Sequence, residues 1–451
     1  MKKFILFLFL IIIIGIPAYI YTSSTFERIP PKVEIDHSEY WNLRDKLQVN
    51  ISDNTGIKYY RIVMINDSKS KVLKEKTLQH PIKTINYDIK LPEFYQAKGD
   101  ITIKVVAVDD SKWHYFAGNE VKKSFTFKVD TISPVAEVIN NNYAMKRGGS
   151  GIAIVKVFDK HLKSAYIKIS ERDNPNVFKK FKLTPFYKQN YYISLLAWPY
   201  NYKTFSADLI VTDEAGNISQ AHIPIRWRKS KYSKPKIKIT DNFVKTIDVP
   251  LLQKAGLNIP SNLADIFNMA NETLRKINET HLYKITDVVL DKKVDSLNIK
   301  PFRPMKGYTK EASYGEMRSY YLDGKKISFA IHKGVDLASY RNAKIYASNI
   351  GKVIFEGFVG IYGNTLAVYH KLGLVSTYSH CSSFDVGMGQ QVYRGEVIAH
   401  TGSTGAVFGD HLHFGTYVQG IPVEPLEWMD SHWIRDNITS IIIKAKRMIN
   451  R

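Results

Sequence analysis

The sequence contains a single cysteine, Cys381, among its 451 residues. An intramolecular disulfide framework is therefore excluded, and so are the structural zinc sites that need several cysteines. The motif H-E-x-x-H is absent as well, which excludes the helical zinc site in which a glutamate acts as general base. Any metal bound by this protein must therefore be held by histidine, aspartate or glutamate.

Acidic residues are scarce, with 42 Asp and Glu against 64 Lys and Arg and a net charge of +22. An excess of this size favours an anionic partner such as nucleic acid, anionic lipid or an acidic polymer like a cell wall. With 44% hydrophobic residues the chain is too apolar to be disordered. Its length is sufficient for about three domains.

An uncharged apolar run extends from Phe4 to Tyr21, directly after Lys2 and Lys3. Its length of about 18 residues reaches the lower limit for crossing a bilayer, and no A-x-A pattern marks a cleavage site. We therefore predict that residues 1–22 form a membrane anchor or uncleaved signal, with a cleaved signal peptide as the alternative. The positive-inside rule then predicts a single-pass protein of the inner membrane, with everything after residue 22 on the periplasmic or extracellular side of the cell envelope. In that location we expect no nucleic-acid partner.

Short strand patterns fill residues 30–229, and they repeat after about one hundred residues. Ile51-Ser52-Asp53 is echoed by Val157-Phe158-Asp159, and Gly118-Asn119 by Gly216-Asn217. We predict two tandem immunoglobulin-like sandwiches, at residues 30–131 and 132–229.

The acidic turns of these repeats can be interpreted as calcium ligands or as ordinary turn residues. Asp and Asn next to Gly are typical of tight turns, and no calcium-loop spacing of carboxylates accompanies them. We therefore prefer the turn interpretation, with the two modules serving as spacers or docking surfaces.

A basic stretch, residues 226–238, follows the modules and either clamps an acidic polymer or serves as a solvated linker strand. After it, Ser261 is predicted to cap a helix that faces the core. The apolar residues at helical spacing are Leu263, Ile266, Phe267, Ala270, Leu274 and Ile277. We assign residues 241–300 to a mixed helical connector.

Residues 301–432 differ in composition, because 17 of the 26 glycines fall after residue 300. Short strands that alternate with Gly turns predict a compact antiparallel β domain, followed by a C-terminal tail at residues 433–451. Seven of the thirteen histidines lie between residues 332 and 432. This domain is therefore where a metal site is expected.

Three short segments of this domain can be combined into such a site. His332 and Asp336 lie four residues apart, and an imidazole with a carboxylate suits zinc. His411 and His413 lie two apart on a strand pattern, so both point to one face, about 6.6 Å apart. His380 ends a further strand. Each histidine alone is better explained by a structural role, but together they supply three ligands and two spare imidazoles.

These segments resemble the lysostaphin-type (LytM-domain) zinc metallopeptidases, which hydrolyse peptide bonds in bacterial peptidoglycan. The resemblance covers about residues 301–430. It rests on His332-Lys333-Gly334-Val335-Asp336-Leu337-Ala338, Tyr362-Gly363-Asn364, Tyr378-Ser379-His380, Gly402-Ser403-Thr404-Gly405 and Gly409-Asp410-His411-Leu412-His413-Phe414.

The resemblance implies that Zn²⁺ is held by His332, Asp336 and His413. It also implies that His380 and His411 are the catalytic pair, of which neither can be assigned alone as the base. Three protein ligands leave a fourth position open, as in catalytic zinc sites. The remaining histidines of the domain and Cys381 fall outside the matching positions or roles, and we expect them to be structural or surface residues.

We therefore expect a mainly β enzyme with an N-terminal membrane helix, two immunoglobulin-like sandwiches, a mixed helical connector and a C-terminal antiparallel β LytM-type peptidase domain. Its expected activity is that of a peptidoglycan DD-endopeptidase on D-Ala-to-diaminopimelate cross-links. The alternatives are a noncatalytic wall-binding or amidase-activating module, a peptidoglycan carboxypeptidase, and a zinc protease that acts on proteins. The complete ligand set disfavours the first of these alternatives.

Overall fold

The structure overturns the predicted membrane anchor. The computed structural model describes residues 2–451. Side chains are described for residue 9 and for residues 11–451, so residue 1 and the other side chains of the predicted anchor lie outside the described residues. Helix α1 spans Lys2–Thr22, and a 3₁₀ turn follows at Ser24–Phe26. Crossing a bilayer takes about 20 consecutive apolar residues, and in the described part of the chain no helix is long and apolar enough. The prediction of a single-pass inner-membrane protein is therefore wrong.

The chain divides into two compact units. The first comprises Met1–Pro134, Asp159–Ser164 and Thr212–Ser219. The second comprises Val135–Phe158, Ala165–Val211 and Gln220–Arg451.

A six-stranded sheet forms most of the first unit, in the order β1-β3-β5-β6-β2 with β4 paired to β3. Its strands are β1 Lys32–Ile35, β2 Tyr40–Trp41, β3 Leu47–Asn66, β4 Lys69–Ile89, β5 Ile101–Asp109 and β6 Glu120–Val129. Alternating apolar residues such as Leu47, Val49 and Ile51 lie on one face of β3 and are fully buried. They pack with the matching face of β5 to form the core of this unit.

Two four-stranded sheets come next in the chain, in the orders β11-β10-β14-β15 and β12-β13-β9-β7. The strands of this region are β7 Val135–Asn141, β8 Ala144–Lys146, β9 Ser150–Phe158, β10 Leu162–Glu171, β11 Asn174–Lys182, β12 Thr184–Pro185, β13 Tyr191–Ala197, β14 Ser206–Asp213, β15 Ile218–His222, β16 Arg226–Arg228 and β17 Lys236–Lys238. The basic stretch 226–238 thus contributes two strands, because β16 pairs with β8 and β17 pairs with a strand of the C-terminal β region, residues 309–423.

The mainly β fold predicted from the sequence is confirmed. The two immunoglobulin-like sandwiches at 30–131 and 132–229 are not confirmed and stay a prediction. The strands of the first segment join one sheet, and those of the second segment divide between two main sheets.

A helical segment follows, built from α-helices that run into π-helical turns. Its parts are α2 Asp241–Phe243, a π-helix at Val244–Asp248, α3 Val249–Lys254, α4 Leu263–Asn268, a second π-helix at Met269–Leu274, and α5 Arg275–Thr286.

The N-cap of α4 is Asn262 and not Ser261 as predicted. The Asn262 side chain accepts a hydrogen bond from the Asp265 N–H. Ile277 is 50% exposed although its helical spacing predicts burial. The second π-turn widens the helix and rotates the later residues away from the predicted face.

The C-terminal β region is a mostly antiparallel structure around an eight-stranded sheet. Its order is β18-β21-β29-β25-β24-β23-β27, with β30 paired to β29. The strands are β18 Thr309–Ala312, β19 Met317–Leu322, β20 Lys325–Ile331, β21 Val335–Ala338, β22 Lys344–Tyr346, β23 Gly351–Phe358, β24 Asn364–Tyr369, β25 Leu374–Cys381, β26 Ser383–Phe384, β27 Gln391–Val392, β28 Val397–His400, β29 Leu412–Val418 and β30 Ile421–Val423. A 3₁₀ turn at Gly360–Tyr362 precedes β24.

Helices end the chain where the sequence analysis predicts a tail. They are α6 Pro425–Met429, α7 Ser431–Ile434, a π-helix at Arg435–Thr439, and α8 Ser440–Ile449. Trp428 of α6 is fully buried, stacks on Phe302 at a ring-centroid distance of 6.2 Å, and donates its indole N–H to the Ser150 hydroxyl at 3.0 Å. This side chain therefore ties β9 to the C-terminal β region within the second unit.

Replacing Trp428 with Ala should lower the free energy of unfolding of the second unit by about 3–5 kcal/mol, because it opens a large cavity and leaves the Ser150 hydroxyl unpaired. Urea denaturation followed by circular dichroism measures this change. Met388, which is 73% exposed, provides the control. Met388→Ala should change the stability by less than about 0.5 kcal/mol, and an equal loss in both variants would contradict the role of Trp428.

Candidate active site and metal centre

Three neighbouring strands of the eight-stranded sheet carry the predicted site residues. Asp336 on β21 lies directly opposite His413 on β29, and His413 lies opposite Ser379 on β25. His380 follows Ser379 on β25, and His332 lies in the loop just before β21. Strand register therefore brings together residues that are up to 81 positions apart in the sequence.

The three predicted metal ligands converge on one point. The Nε2 atom of His332 lies 3.0 Å from Oδ1 of Asp336 and 3.0 Å from Nδ1 of His413. Nδ1 of His413 lies 2.8 Å from the same Asp336 oxygen. All three residues are buried, and one ligand atom from each lies within 4.8 Å of the others. Two imidazoles and one carboxylate in this arrangement fit a borderline divalent ion such as zinc.

Neighbouring groups orient these ligands. The Nδ1–H group of His332 donates to the Ser313 carbonyl at 2.9 Å, which leaves Nε2 to face the site. The Arg318 guanidinium donates to Oδ2 of Asp336 at 3.0 Å and to the Glu316 carboxylate at 3.2 Å. Asp336 therefore offers Oδ1 to the centre while Oδ2 is held by an arginine.

The electrostatics of the site keep Asp336 and His413 in the protonation states that metal binding needs. Burial raises the pKa of Asp336, but the adjacent His332 and His413 outweigh it and hold this pKa well below its usual range. Burial lowers the pKa of His413 to about 4, although hydrogen bonding to Asp336 acts in the opposite direction. A charged carboxylate and a neutral imidazole therefore face each other at neutral pH.

The predicted catalytic pair lies beside this centre. The rings of His380 and His411 are 4.9 Å apart, and Nε2 of His411 lies 3.7 Å from Oδ1 of Asp336. The Nδ1–H group of His380 donates to the Thr404 carbonyl at 2.8 Å, and that of His411 donates to the Gly409 carbonyl at 2.9 Å. Each Nε2 therefore keeps a lone pair that can accept a proton.

His380 adopts an uncommon backbone conformation. Its φ angle is +66°, in the left-handed region that non-glycine residues rarely occupy. Burial, followed by the nearby His411 and His413, lowers the pKa of His380 well below its usual value. A strained backbone under a neutral imidazole is typical of a functional position.

Gly334, between His332 and Asp336, permits a close approach of the backbone to a ligand. A Cβ atom at this position would lie 2.7 Å from the His413 ring and 2.7 Å from the Phe414 carbonyl. Any larger residue must therefore displace the ring of His413.

A cavity of about 390 Å³ opens in front of the histidines, and the helical connector forms part of its wall. Phe243, Asp248, Phe267 and Arg275 of the connector all line it. Phe243 also stacks on Phe408 of the loop before His411, at a ring-centroid distance of 4.5 Å. The connector is therefore a structural part of the site.

The other histidines of the domain lie outside the site. His370 is buried and bonded to the Ser376 hydroxyl at 2.7 Å, and burial lowers its pKa to about 4. His400 pairs with Asp385 at 3.2 Å, and His432 is exposed. Cys381 is fully buried and does not line the cavity.

Two features of the site are absent from the sequence analysis. Arg318 lies 18 residues before Asp336 with no motif around it, so its bond to the carboxylate is visible only after folding. Arg275 lies in a segment that the apolar pattern marks as a core helix. A charged residue interrupting that pattern is the only signal that the sequence offers.

Comparison with known proteins places this region in a family. A family model described as Peptidase family M23 matches residues 330–425. The DD-carboxypeptidase/endopeptidase Mpg of Neisseria meningitidis is 37% identical over 99 residues, which are 22% of this chain and 23% of the relative. The peptidoglycan DD-endopeptidase ShyA of Vibrio cholerae is 30% identical over 164 residues, or 36% of each chain. The chain thus spans about a third or less of these curated relatives.

Among solved structures, the catalytic domain of the antimicrobial peptidase lysostaphin from Staphylococcus simulans is 27% identical, with 28% of this chain and 93% of that one covered at a TM-score of 0.24. A zinc containing peptidase from Vibrio cholerae is 14% identical, with 79% and 87% covered at a TM-score of 0.28. These TM-scores are low, so the assignment rests on the sequence comparisons. The resemblance predicted from the motifs is confirmed: residues 330–425 form a domain of peptidase family M23, of the lysostaphin (LytM) type.

Proposed function

We propose that this chain is a zinc-dependent peptidase that hydrolyses peptide cross-links in peptidoglycan. The observation that carries the proposal is the convergence of His332, Asp336 and His413 on one buried point, with His380 and His411 beside it. The names of the relatives, a peptidoglycan DD-endopeptidase and a DD-carboxypeptidase/endopeptidase, support the substrate class.

In this proposal His332, Asp336 and His413 hold the zinc ion. The ion would supply Lewis acidity for the scissile carbonyl and the attacking water. The Ser313 carbonyl and the Arg318 guanidinium keep two of these ligands aimed at the centre. Three protein ligands leave room for substrate, as a catalytic centre requires.

His380 and His411 handle the protons. Each ring has its Nδ1–H group tied to a backbone carbonyl, so each Nε2 is available as a base. One imidazole of the pair accepts a proton from the attacking water, and the resulting imidazolium returns it to the leaving nitrogen. The strained backbone conformation of His380 holds its imidazole ring in one position during the proton transfer.

The cavity lining contains charges of both signs. Its cations are Arg275, Arg318 and Lys333, and its carboxylates are Asp248, Glu311, Asp336 and Asp410. Arg318 is paired with Glu316 and Asp336, and Lys333 is paired with Glu279. Arg275 makes no ion pair among the described residues and donates to the Asn271 carbonyl and side chain.

A D-Ala-to-diaminopimelate cross-link carries a free carboxylate next to its scissile nitrogen. A guanidinium such as Arg275 binds a carboxylate well, and the net charge of +22 attracts acidic polymers. We therefore propose that this cross-link is the substrate.

A peptidoglycan carboxypeptidase is the second candidate. The name of the Neisseria relative joins both activities, so the same type of centre is associated with each. A noncatalytic activating role is disfavoured, because this chain keeps all three ligands and both spare imidazoles.

Replacing His332 or His413 with Ala should remove both the zinc ion of this centre and the activity. His380→Ala and His411→Ala should retain about one zinc at this centre but reduce kcat by about 10²- to 10⁴-fold, the usual contribution of a positioned acid or base. Metal analysis of each purified variant, together with its hydrolysis rate, separates the two groups. The buried histidine His370, which lies outside the cavity, serves as a control, and His370→Gln should leave both measurements near wild type.

If a His413→Ala protein kept its zinc and its rate, the ligand assignment would be wrong. If His380→Ala lost the metal as completely as the ligand variants, His380 would be a metal ligand and its assignment to the catalytic pair would be wrong.

Gly334→Ala should weaken zinc binding by about 10- to 100-fold without removing any ligand, because the added methyl group displaces the His413 ring. Competition with a zinc-binding dye measures the affinity. Gly409→Ala is the matched control, since a Cβ atom there meets no described atom within 4 Å. Equal affinities in the two variants would count against this close packing.

Incubation with cross-linked dimeric muropeptides should yield monomers, identified by mass spectrometry. We expect pentaglycine bridges to be cut poorly or not at all, because they lack the carboxylate beside the scissile bond. Persisting dimers with shortened monomers would instead identify a carboxypeptidase. If neither substrate changes while zinc is bound, the noncatalytic alternative replaces the proposal.

A further inference from the structure

A second group of potential metal ligands lies in the first compact unit, away from the catalytic residues in sequence and outside the family match. Asp130 lies in the loop between β6 and β7, and Asp159 and His161 lie in the turn between β9 and β10. One nitrogen or oxygen atom from each of the three lies within 4.8 Å of the others.

The Nδ1 atom of His161 is buried and has no hydrogen-bond partner within residues 11–451. Its nearest carboxylate oxygen is Oδ2 of Asp130, at 3.6 Å. That separation is too long for a hydrogen bond. Two ligands of one zinc ion, each about 2.0–2.2 Å from it in tetrahedral geometry, are separated by about 3.4 Å. The observed distance therefore fits two atoms that share an ion better than two atoms that bond each other.

The ring of His161 is held in place by its surroundings. It stacks on Tyr40 with ring centroids 4.1 Å apart. Its backbone N–H donates to Oδ1 of Asp159 at 2.6 Å, and its carbonyl accepts from the Glu214 N–H at 2.8 Å. A ring nitrogen that is held in a fixed position and has no hydrogen-bond donor beside it can serve as a metal ligand.

Asn217 adds a second unfilled acceptor next to the same loop. Its side chain is 2% exposed, and its Oδ1 atom lacks a hydrogen-bond partner in the described part of the chain. Its Nδ2 group donates to the Asp130 carbonyl at 2.9 Å and to the Asp213 carboxylate at 2.8 Å. Buried polar atoms are almost always bonded, so two orphaned atoms around one loop indicate a missing partner.

We propose that Asp130, Asp159 and His161 form a second metal site, which binds a divalent transition-metal ion such as Zn²⁺. The nitrogen ligand selects against calcium and magnesium, which prefer oxygen alone. The proposal is independent of the activity of the catalytic domain.

The equivalent part of the first sequence repeat shows the contrast. Glu27, Asp53 and Asp109 also lie close together, but all three offer oxygen. Oδ1 of Asp53 accepts from the Thr55 and Gly56 N–H groups, and Oδ1 of Asp109 accepts from the Ser111 and Asn119 N–H groups. Unlike His161, none of these three residues has a buried side-chain atom without a hydrogen-bond partner in the described part of the chain. We infer no metal site there, and Asp53, which corresponds to Asp159 in the repeat, provides a matched control.

The test is the zinc content of the full chain after removal of all metal, reloading with Zn²⁺ and gel filtration. Wild type should hold two equivalents, His161→Phe one, His413→Ala one, and the double variant none. Phe keeps an aromatic ring to stack on Tyr40 but has no ligand atom, so the fold should persist, as circular dichroism will show. Asp53→Asn should keep both equivalents.

A wild-type content of one equivalent, lost in His413→Ala and kept in His161→Phe, would overturn the second site and leave the proposed catalytic centre intact. Loss of an ion in Asp53→Asn would overturn it too, because the ion would then lie in the other repeat. A failure of the catalytic assignment has a different signature, namely an ion that His161→Phe removes and His413→Ala does not.

Discussion

The carboxylate of Asp336 is the group on which the catalytic site depends. One of its oxygens lies within 3.0 Å of His332 and His413, and the other accepts a hydrogen bond from Arg318. An isolated carboxylate buried to this degree would cost several kcal/mol, so its neighbours are needed to keep it charged. The pairing of β21 with β29 places it opposite His413. Sheet register and electrostatics therefore support the same arrangement.

The helical connector extends the site beyond the matched family domain. Its apolar side chains pack into one core with Val359, Ile361 and Tyr362 of the catalytic region. Asn278 accepts the Ile361 N–H at 2.9 Å, just before the motif that begins at Tyr362. This burial fixes Arg275 at the cavity wall. Burial also raises the pKa of Asp248 in the same wall to about 7, so the charge facing Arg275 depends on pH near neutrality.

Sequence patterns were most informative where the determinant is local. Short strand patterns predicted the β structure of residues 30–229 and 301–432, because successive side chains of a strand point to opposite faces. The helix start was misplaced by one residue, since Ser261 and Asn262 are both good caps and only the fold selects Asn262. The predicted anchor failed for a different reason. Residues 4–21 are apolar in composition, but no helix in the described part of the chain is long and apolar enough to cross a membrane.

The sequence by itself determined the mainly β class and the resemblance of residues 330–425 to peptidase family M23. Its short Gly and His motifs also predicted five site residues, whose roles stay a prediction. It also excluded disulfides and cysteine-rich zinc sites. Only the tertiary structure decided that Arg318 holds Asp336, that Gly334 makes room for His413, and that His161 meets Asp130. These contacts join residues without a shared sequence pattern. Their distances follow from strand register and close packing, which are properties of the whole folded unit.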